Sequence, residues 1–195
     1  KATGSVLLDG EEILGLPDIV FPDTGAGGEV TLPDMYVAGV CYEISDRTSL
    51  ELDVVRTMWS TYDTLSINFD DPLNPADPGS NVQSSEKNWK DTWRYQVGLE
   101  HKLKNDWTIR LGYIFDESPI PGETADFIAP TNDRNLYSIG TEYTKGNWTF
   151  DLSYIYIDMD DRFVSAEGRE EEGLADAFFT DSRTHLVGLT LNYRF

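Results

Sequence analysis

The sequence predicts an all-β protein: a transmembrane antiparallel up-and-down β-barrel with about eight strands in this chain. Three observations carry that reading. The last residues alternate to the chain end, with Val187, Leu189, Leu191, Tyr193 and Phe195 on one parity and Leu186, Gly188, Thr190, Asn192 and Arg194 on the other. This is the two-residue period of a strand with one greasy and one wet face. Stretches of the same kind recur along the chain, joined by connections that are alternately short and long, as in a barrel with its turns on one side of a membrane and its loops on the other. Finally, the acidic residues concentrate in the long connections.

Composition excludes a helical membrane protein. The 195 residues are 39% hydrophobic with a mean hydropathy of −0.40, and no apolar run approaches the roughly 20 residues that a transmembrane helix needs. Transmembrane strands escape that test because only alternate residues face lipid. The net charge of −20 becomes informative once mapped. Residues 9–34, 70–88, 116–133 and 158–183 hold 25 of the 35 acids and 4 of the 15 bases, a net of −21, whereas the rest carries 11 bases against 10 acids. Two readings stay open: solvated loops that keep a protein soluble, or a cell-surface rim whose carboxylates meet divalent cations and lipopolysaccharide. Glu170, Glu171 and Glu172 lack the alternating Asp/Asn and Gly pattern of a calcium loop, so no metal site and no cofactor is expected. Cys41 is the only cysteine and has no partner for a disulfide. Lys1 opens into a strand-like stretch without a signal peptide, which leads to the expectation of a mature chain truncated at its N-terminus.

The strands follow in order. Strand A, about 2–8, is weak, and strand B, about 34–44, places Tyr36, Ala38, Val40, Tyr42 and Ile44 on one face. Strand C, about 49–70, slips phase between Leu50, Leu52, Val54 and Leu65, Ile67, Phe69, which predicts a β-bulge between them. Strand D sets Trp93, Tyr95, Val97, Leu99, His101 and Leu103 against Arg94, Gln96, Gly98, Glu100 and Lys102. Strand E turns Trp107, Ile109, Leu111, Tyr113 and Phe115 to the apolar side. Strand F offers Tyr137, Ile139 and Tyr143; strand G offers Trp148, Phe150, Leu152, Tyr154 and Tyr156; strand H is the tail.

Short turns at about 45–49, 104–106 and 145–146 join B to C, D to E and F to G, within hairpin range. Pairing Leu103 with Trp107 across the D–E turn sets Glu100 opposite Arg110 and Arg94 opposite Asp116, on the side away from the aromatics. Charges are costly in lipid, so the side that carries this ladder is expected to line a wet lumen. Trp107, Trp148, Tyr42, Tyr143, Tyr193 and Phe195 gather near the short-turn end, and Trp93, Phe115, Tyr154 and Tyr156 near the other, as two interfacial belts would.

Several phrases resemble the FadL and toluene-transporter family of outer-membrane channels. They are Trp59-Ser60-Thr61-Tyr62 with Leu65-Ser66-Ile67-Asn68-Phe69, Trp89-Lys90-Asp91-Thr92 leading to Gly98, and Arg110-Leu111-Gly112-Tyr113 running on through Asp116, Ser118, Pro119 and Pro121. Pro130 with Asp133-Arg134, and the closing Asn192-Tyr193-Arg194-Phe195, complete the set. The resemblance runs from about residue 33 to the end. It implies a 14-stranded barrel with an N-terminal hatch, of which residues 1–195 are a single β-barrel domain forming the C-terminal portion, with the hatch and early strands absent. It also implies uptake of hydrophobic compounds such as long-chain fatty acids or aromatic hydrocarbons, a bacterial outer-membrane location with extracellular acidic loops, contact with outer-membrane lipid and lipopolysaccharide, and recognition by the barrel-assembly machinery through Phe195. By strand count the A–B loop is one of two that form the family's outer capture groove. Its residues Ile13, Leu14, Leu16, Ile19, Val20 and Phe21 are apolar in an otherwise acidic loop, and they either line that groove or pack on their own barrel. Arg94 and Arg110 either meet a ligand carboxylate or serve only as partners of Asp116 and Glu100.

Other functions remain as competitors. An enzyme is disfavoured because His101 and His185 fall on the apolar faces or near an interface and no Gly-x-Ser-x-Gly is present. Nucleic-acid binding needs clustered Lys and Arg that this chain lacks. A structural or adhesive barrel without transport, and a soluble β-sheet binding module, stay open.

Overall fold

The computed structural model describes residues 2–8, 24–74, 76–167 and 175–195. Among the described residues thirteen strands run in order: β1 (Ala2–Leu8), β2 (Thr24–Val30), β3 (Met35–Ser45), β4 (Thr48–Thr57), β5 (Thr64–Phe69), β6 (Val82–Glu86), β7 (Thr92–Lys102), β8 (Trp107–Asp116), β9 (Arg134–Lys145), β10 (Trp148–Met159), β11 (Arg162–Val164), β12 (Ala177–Phe179) and β13 (Arg183–Tyr193). The pairings between these strands are antiparallel, and helix among the described residues is limited to three short 3-10 turns.

The chain divides into two units. Residues 1–34 and 59–90 form the first, a four-stranded sheet in the order β1-β2-β5-β6. Residues 35–58 and 91–195 form the second, a seven-stranded sheet in the order β13-β10-β9-β8-β7-β4-β3, with β11 and β12 as a separate hairpin.

The seven-stranded sheet is strands B to H read from the alternation, and strand C is where the reading has to be corrected. One long bulged strand is not formed. β4 ends at Thr57, a 3-10 turn occupies Trp59–Thr61, and β5 belongs to the other sheet. The break is held by packing: Tyr62 N–H donates to the Trp59 carbonyl at 2.8 Å, and the rings of Trp59 and Tyr62 meet Trp89 edge-on at 5.0 and 4.8 Å. Strand A likewise pairs with β2, outside the seven-stranded sheet. β2 itself, Thr24-Gly25-Ala26-Gly27-Gly28-Glu29-Val30, lies in a stretch expected to be loop. Its glycines erase the alternation, and a Cβ on Gly28 would lie 3.0 Å from the Ser66 carbonyl oxygen of neighbouring β5, a tight contact that the missing side chain avoids.

The short turns show why their residues suit hairpins. Asn105 and Asp106 adopt φ of 71° and 66°, and Gly146 of 61°, the left-handed region that Asn, Asp and Gly tolerate best. Leu103 N–H donates to the Trp107 carbonyl at 2.8 Å, fixing the register of β7 on β8.

Among the described residues of its own unit, no second layer covers the apolar face of the seven-stranded sheet. Trp107, Tyr113, Phe150 and Leu189 are 43%, 36%, 46% and 80% exposed. A sheet whose large aromatic and aliphatic side chains are uncovered along every strand needs hydrocarbon or another protein surface over it.

Candidate functional site: the polar face of the seven-stranded sheet

Side chains of alternating parity give the other face, and the register arranges them in tiers. The tier nearest the short turns is charged. Glu100 lies opposite Arg110, which pairs with Glu100 at 2.8 Å, with Glu142 at 2.7 Å and with Asp151 at 3.6 Å, so one guanidinium ties together carboxylates from three neighbouring strands. Lys102 adds a longer contact to Glu100 at 3.9 Å. The five N–H groups of arginine are suited to such forked bonding.

The tier nearest the long loops is charged as well. Arg94 stands opposite Asp116, as the D–E turn register requires, and Asp116 stands opposite Arg134. Here the pairing differs from a simple ladder: the Asp116 carboxylate accepts from both Nε and Nη2 of Arg134, at 3.0 and 2.8 Å. Arg94 Nε is buried without a hydrogen-bond partner among the described residues. Arg110 is therefore saturated with carboxylates, whereas Arg94 has coordination to spare.

Between these tiers the face turns apolar. Gln96 pairs with Ile114, Ile114 with Leu136, and Leu136 with Ile157; one step nearer the short turns, Gly98 pairs with Gly112, Gly112 with Ser138, Ser138 with Ile155 and Ile155 with Leu186. Ile114, Leu136, Ile157, Ile155 and Leu186 thus form one contiguous strip across β8, β9, β10 and β13. Beside it the surface is cut low by glycine. The Ser138 hydroxyl would lie 2.5 Å from a Cβ at Gly112, and the Ser153 hydroxyl 2.6 Å from one at Gly188. A half-exposed apolar strip bounded by two charged tiers can take the body of a hydrophobic molecule, and Arg94 at its border can take a carboxylate.

At the long-loop end a compact cap joins the connections that precede β9 and follow β10. Arg162 is 8% exposed and donates to the carbonyls of Thr131 at 2.8 Å and Ile120 at 3.1 Å, and to Asn132 Oδ1 at 3.1 Å. Burial pulls its pKa below the usual arginine value, and Asp133 partly offsets that. Ile120, Ala125 and Val164 are buried in the same cap.

Of the residues singled out from sequence, Arg94, Glu100, Arg110 and Asp116 share one face, with Glu100 and Arg110 bonded and Arg94 and Asp116 merely opposed. Ile13, Leu14, Leu16, Ile19, Val20 and Phe21 lie outside the described residues, as do Glu170, Glu171 and Glu172. Sequence reasoning missed Glu142, Asp151, Arg134 and the apolar strip. The signal for the strip was present: Tyr154-Ile155-Tyr156-Ile157 is apolar on both parities, which a strand with one wet face does not need.

Comparison with known proteins fits this geometry. The family described as "Outer membrane protein transport protein (OMPP1/FadL/TodX)" matches residues 17–195. The chain is 24% identical over 189 residues to the long-chain fatty acid transport protein of Escherichia coli O6:H1, covering 94% of this chain and 40% of that protein. It is 26% identical over 168 residues to a 47 kDa outer membrane protein of Pasteurella multocida, covering 84% and 35%. Among solved structures, a Pseudomonas aeruginosa FadL homologue superposes with a TM-score of 0.73 at 21% identity, covering 88% of this chain and 38% of that one. The P. putida toluene transporter TodX gives 0.60 at 15%, covering 88% and 37%. The chain thus spans well under half the length of these relatives, and the structural likeness establishes the shared fold.

Proposed function

Because the chain belongs to the OMPP1/FadL/TodX family of outer-membrane β-barrel transport proteins, we propose that it forms part of a channel for uptake of hydrophobic compounds, long-chain fatty acids or aromatic hydrocarbons among them. The observation that carries this reading is the apolar strip of Ile114, Leu136, Ile155, Ile157 and Leu186 on a face otherwise built of charged, polar and small residues. A water-filled pore has no use for such a strip, whereas a hydrophobic solute crossing a polar lumen gains from every apolar contact, at about 25 cal/mol per Å² buried. In this reading the polar face lines the lumen, Arg110 and its carboxylates brace the wall, and Arg94 receives the carboxylate of a fatty acid.

The apolar run from Ile13 to Phe21 serves as an outer capture surface in the same scheme, and Phe195 as the mark read by the barrel-assembly machinery. Replacing Leu16 and Phe21 with Asp in the full-length protein tests the first point, since unchanged uptake would remove it.

The decisive experiment places Asp at Leu136 and at Ile155 in the full-length protein and follows uptake of a labelled fatty acid by cells that depend on it. Uptake is expected to fall about tenfold while folded protein in the outer membrane stays level, an effect of about 1.4 kcal/mol. Unchanged uptake would favour a structural or adhesive barrel.

A further inference from the structure

The cap at the long-loop end holds a buried charge that no carboxylate neutralises. The hydrogen bonds of Arg162 run from Nε and Nη2: to the carbonyls of Thr131 and Ile120, to Asn132 Oδ1 and, at 3.4 Å, to Ser118 Oγ. Asp133 acts on it only across a distance, and no carboxylate among the described residues bonds to it. The neighbouring acids are engaged by backbone instead. Asp133 accepts from Ser118 N–H at 2.8 Å, Asp126 from Ile128 and Ala129 N–H at 3.0 and 3.2 Å, and Asp161 from Asp181 N–H at 3.2 Å. A buried ion is ordinarily paired with its opposite, because carbonyl dipoles recover only part of the lost hydration. Arg162 is 8% exposed and always charged, so it keeps its attraction for an anion, with Nη1 as the donor left over.

An apolar surface lies beside this charge. On the β11–β12 hairpin Arg162 is paired with Phe179, so the two side chains leave the same face. The Phe179 ring meets Phe127 at 6.1 Å, and Phe127 is followed by Ile128; these two are 44% and 83% exposed. Their place is fixed from both sides. The Asp126 turn precedes them, and the Thr131 carbonyl beyond them is held by Arg162 at 2.8 Å. Phe163 and Phe178, the next pair along the hairpin, meet at 4.5 Å on its other face, away from Arg162.

We infer that the cap is a binding site for an alkyl carboxylate, with Arg162 receiving the head group and Phe127, Phe179 and Ile128 the chain. The inference rests on the uptake reading for the side from which the ligand arrives, since the long loops then face the medium. It adds a site outside the lumen, separate from Arg94 and the apolar strip. A carboxylate at Arg162 supplies the opposite charge that the buried guanidinium lacks. A neutral molecule of the same length makes the apolar contacts alone, so the site discriminates by charge.

The test photolabels the full-length protein in nanodiscs with palmitate carrying a diazirine at its chain end, or with hexadecanol carrying the same group, and maps the labelled peptides by mass spectrometry. Palmitate is expected to mark the segment 118–133 and the β11–β12 hairpin about tenfold more than hexadecanol. F127S/I128S is expected to lower that labelling about tenfold while the cap resists proteolysis as before. F163S/F178S is expected to leave it at the wild-type level, and so is L136D/I155D, which disrupts the lumen strip. Equal labelling by acid and alcohol in the wild type, or an unlabelled cap, would overturn the inference without recourse to any variant. An equal loss in F163S/F178S would also overturn it, as would a loss in L136D/I155D, which would make cap contact a by-product of passage through the lumen. Cap labelling that persists while L136D/I155D leaves uptake unchanged would uphold this site and remove the lumen reading.

Discussion

Arg94 lies directly across from Asp116 in the β7–β8 register, yet the Asp116 carboxylate is held by Arg134 at 2.8 Å and Arg94 Nε has no partner among the described residues. An arginine left in this state costs stability rather than adding to it, since an unsatisfied buried donor is penalised by about 1–3 kcal/mol. Arg94→Leu is therefore expected to leave the urea midpoint of the full-length protein unchanged or slightly raised, while lowering uptake of a fatty acid relative to a neutral hydrocarbon of the same length. The paired uptake measurement checks it. Equal losses for both substrates would remove the carboxylate role.

Arg110 is the opposite case. Its guanidinium binds Glu100 and Glu142 at 2.8 and 2.7 Å with Asp151 at 3.6 Å, so Arg110→Met leaves three carboxylates facing one another. The site is partly solvated, which discounts the repulsion, and a loss of about 1–2 kcal/mol is expected. Adding Glu142→Gln to Arg110→Met should recover part of that loss, and a double-mutant cycle of unfolding free energies measures the coupling. Strict additivity would mean that the three strands are not tied through this residue.

In the cap, Arg162→Met removes the donors for the Thr131 and Ile120 carbonyls. The effect is expected to be local, about 2–3 kcal/mol. Limited proteolysis should cut the segments at 118–133 and 160–182 faster, with the seven-stranded sheet unfolding at its former midpoint. A fall in the midpoint of the whole protein would show that the cap and the sheet unfold together.

How far the sequence reaches depends on whether structure follows from neighbours along the strand. Matching apolar faces across the D–E turn was enough to pair Glu100 with Arg110 and Arg94 with Asp116, because a one-residue slip would have turned every aromatic of β7 to the wet side. Which carboxylate each arginine takes was not legible, since Arg134 and Glu142 arrive from β9 through a connection whose length fixes no register. The break after Thr57 was hidden for the same reason. Leu50, Leu52 and Val54 alternate, as do Leu65, Ile67 and Phe69, and what separates them is the seating of Trp59 and Tyr62 against Trp89, a contact between distant residues. β2 was lost to its glycines. The apolar strip was readable in Ile155 and Ile157, had the doubly apolar run been weighed against the single wet face it contradicts.

The account rests on hydrocarbon covering the apolar face, and adjacent residues of β13 test it most directly. Leu189 is 80% exposed on that face, and Thr190 points to the other. In lipid bilayers, Leu189→Arg in the full-length protein is expected to cost about 2–4 kcal/mol of folding free energy and Thr190→Arg under about 1 kcal/mol. Equal costs at the two positions, or a larger one at Thr190, would contradict the account.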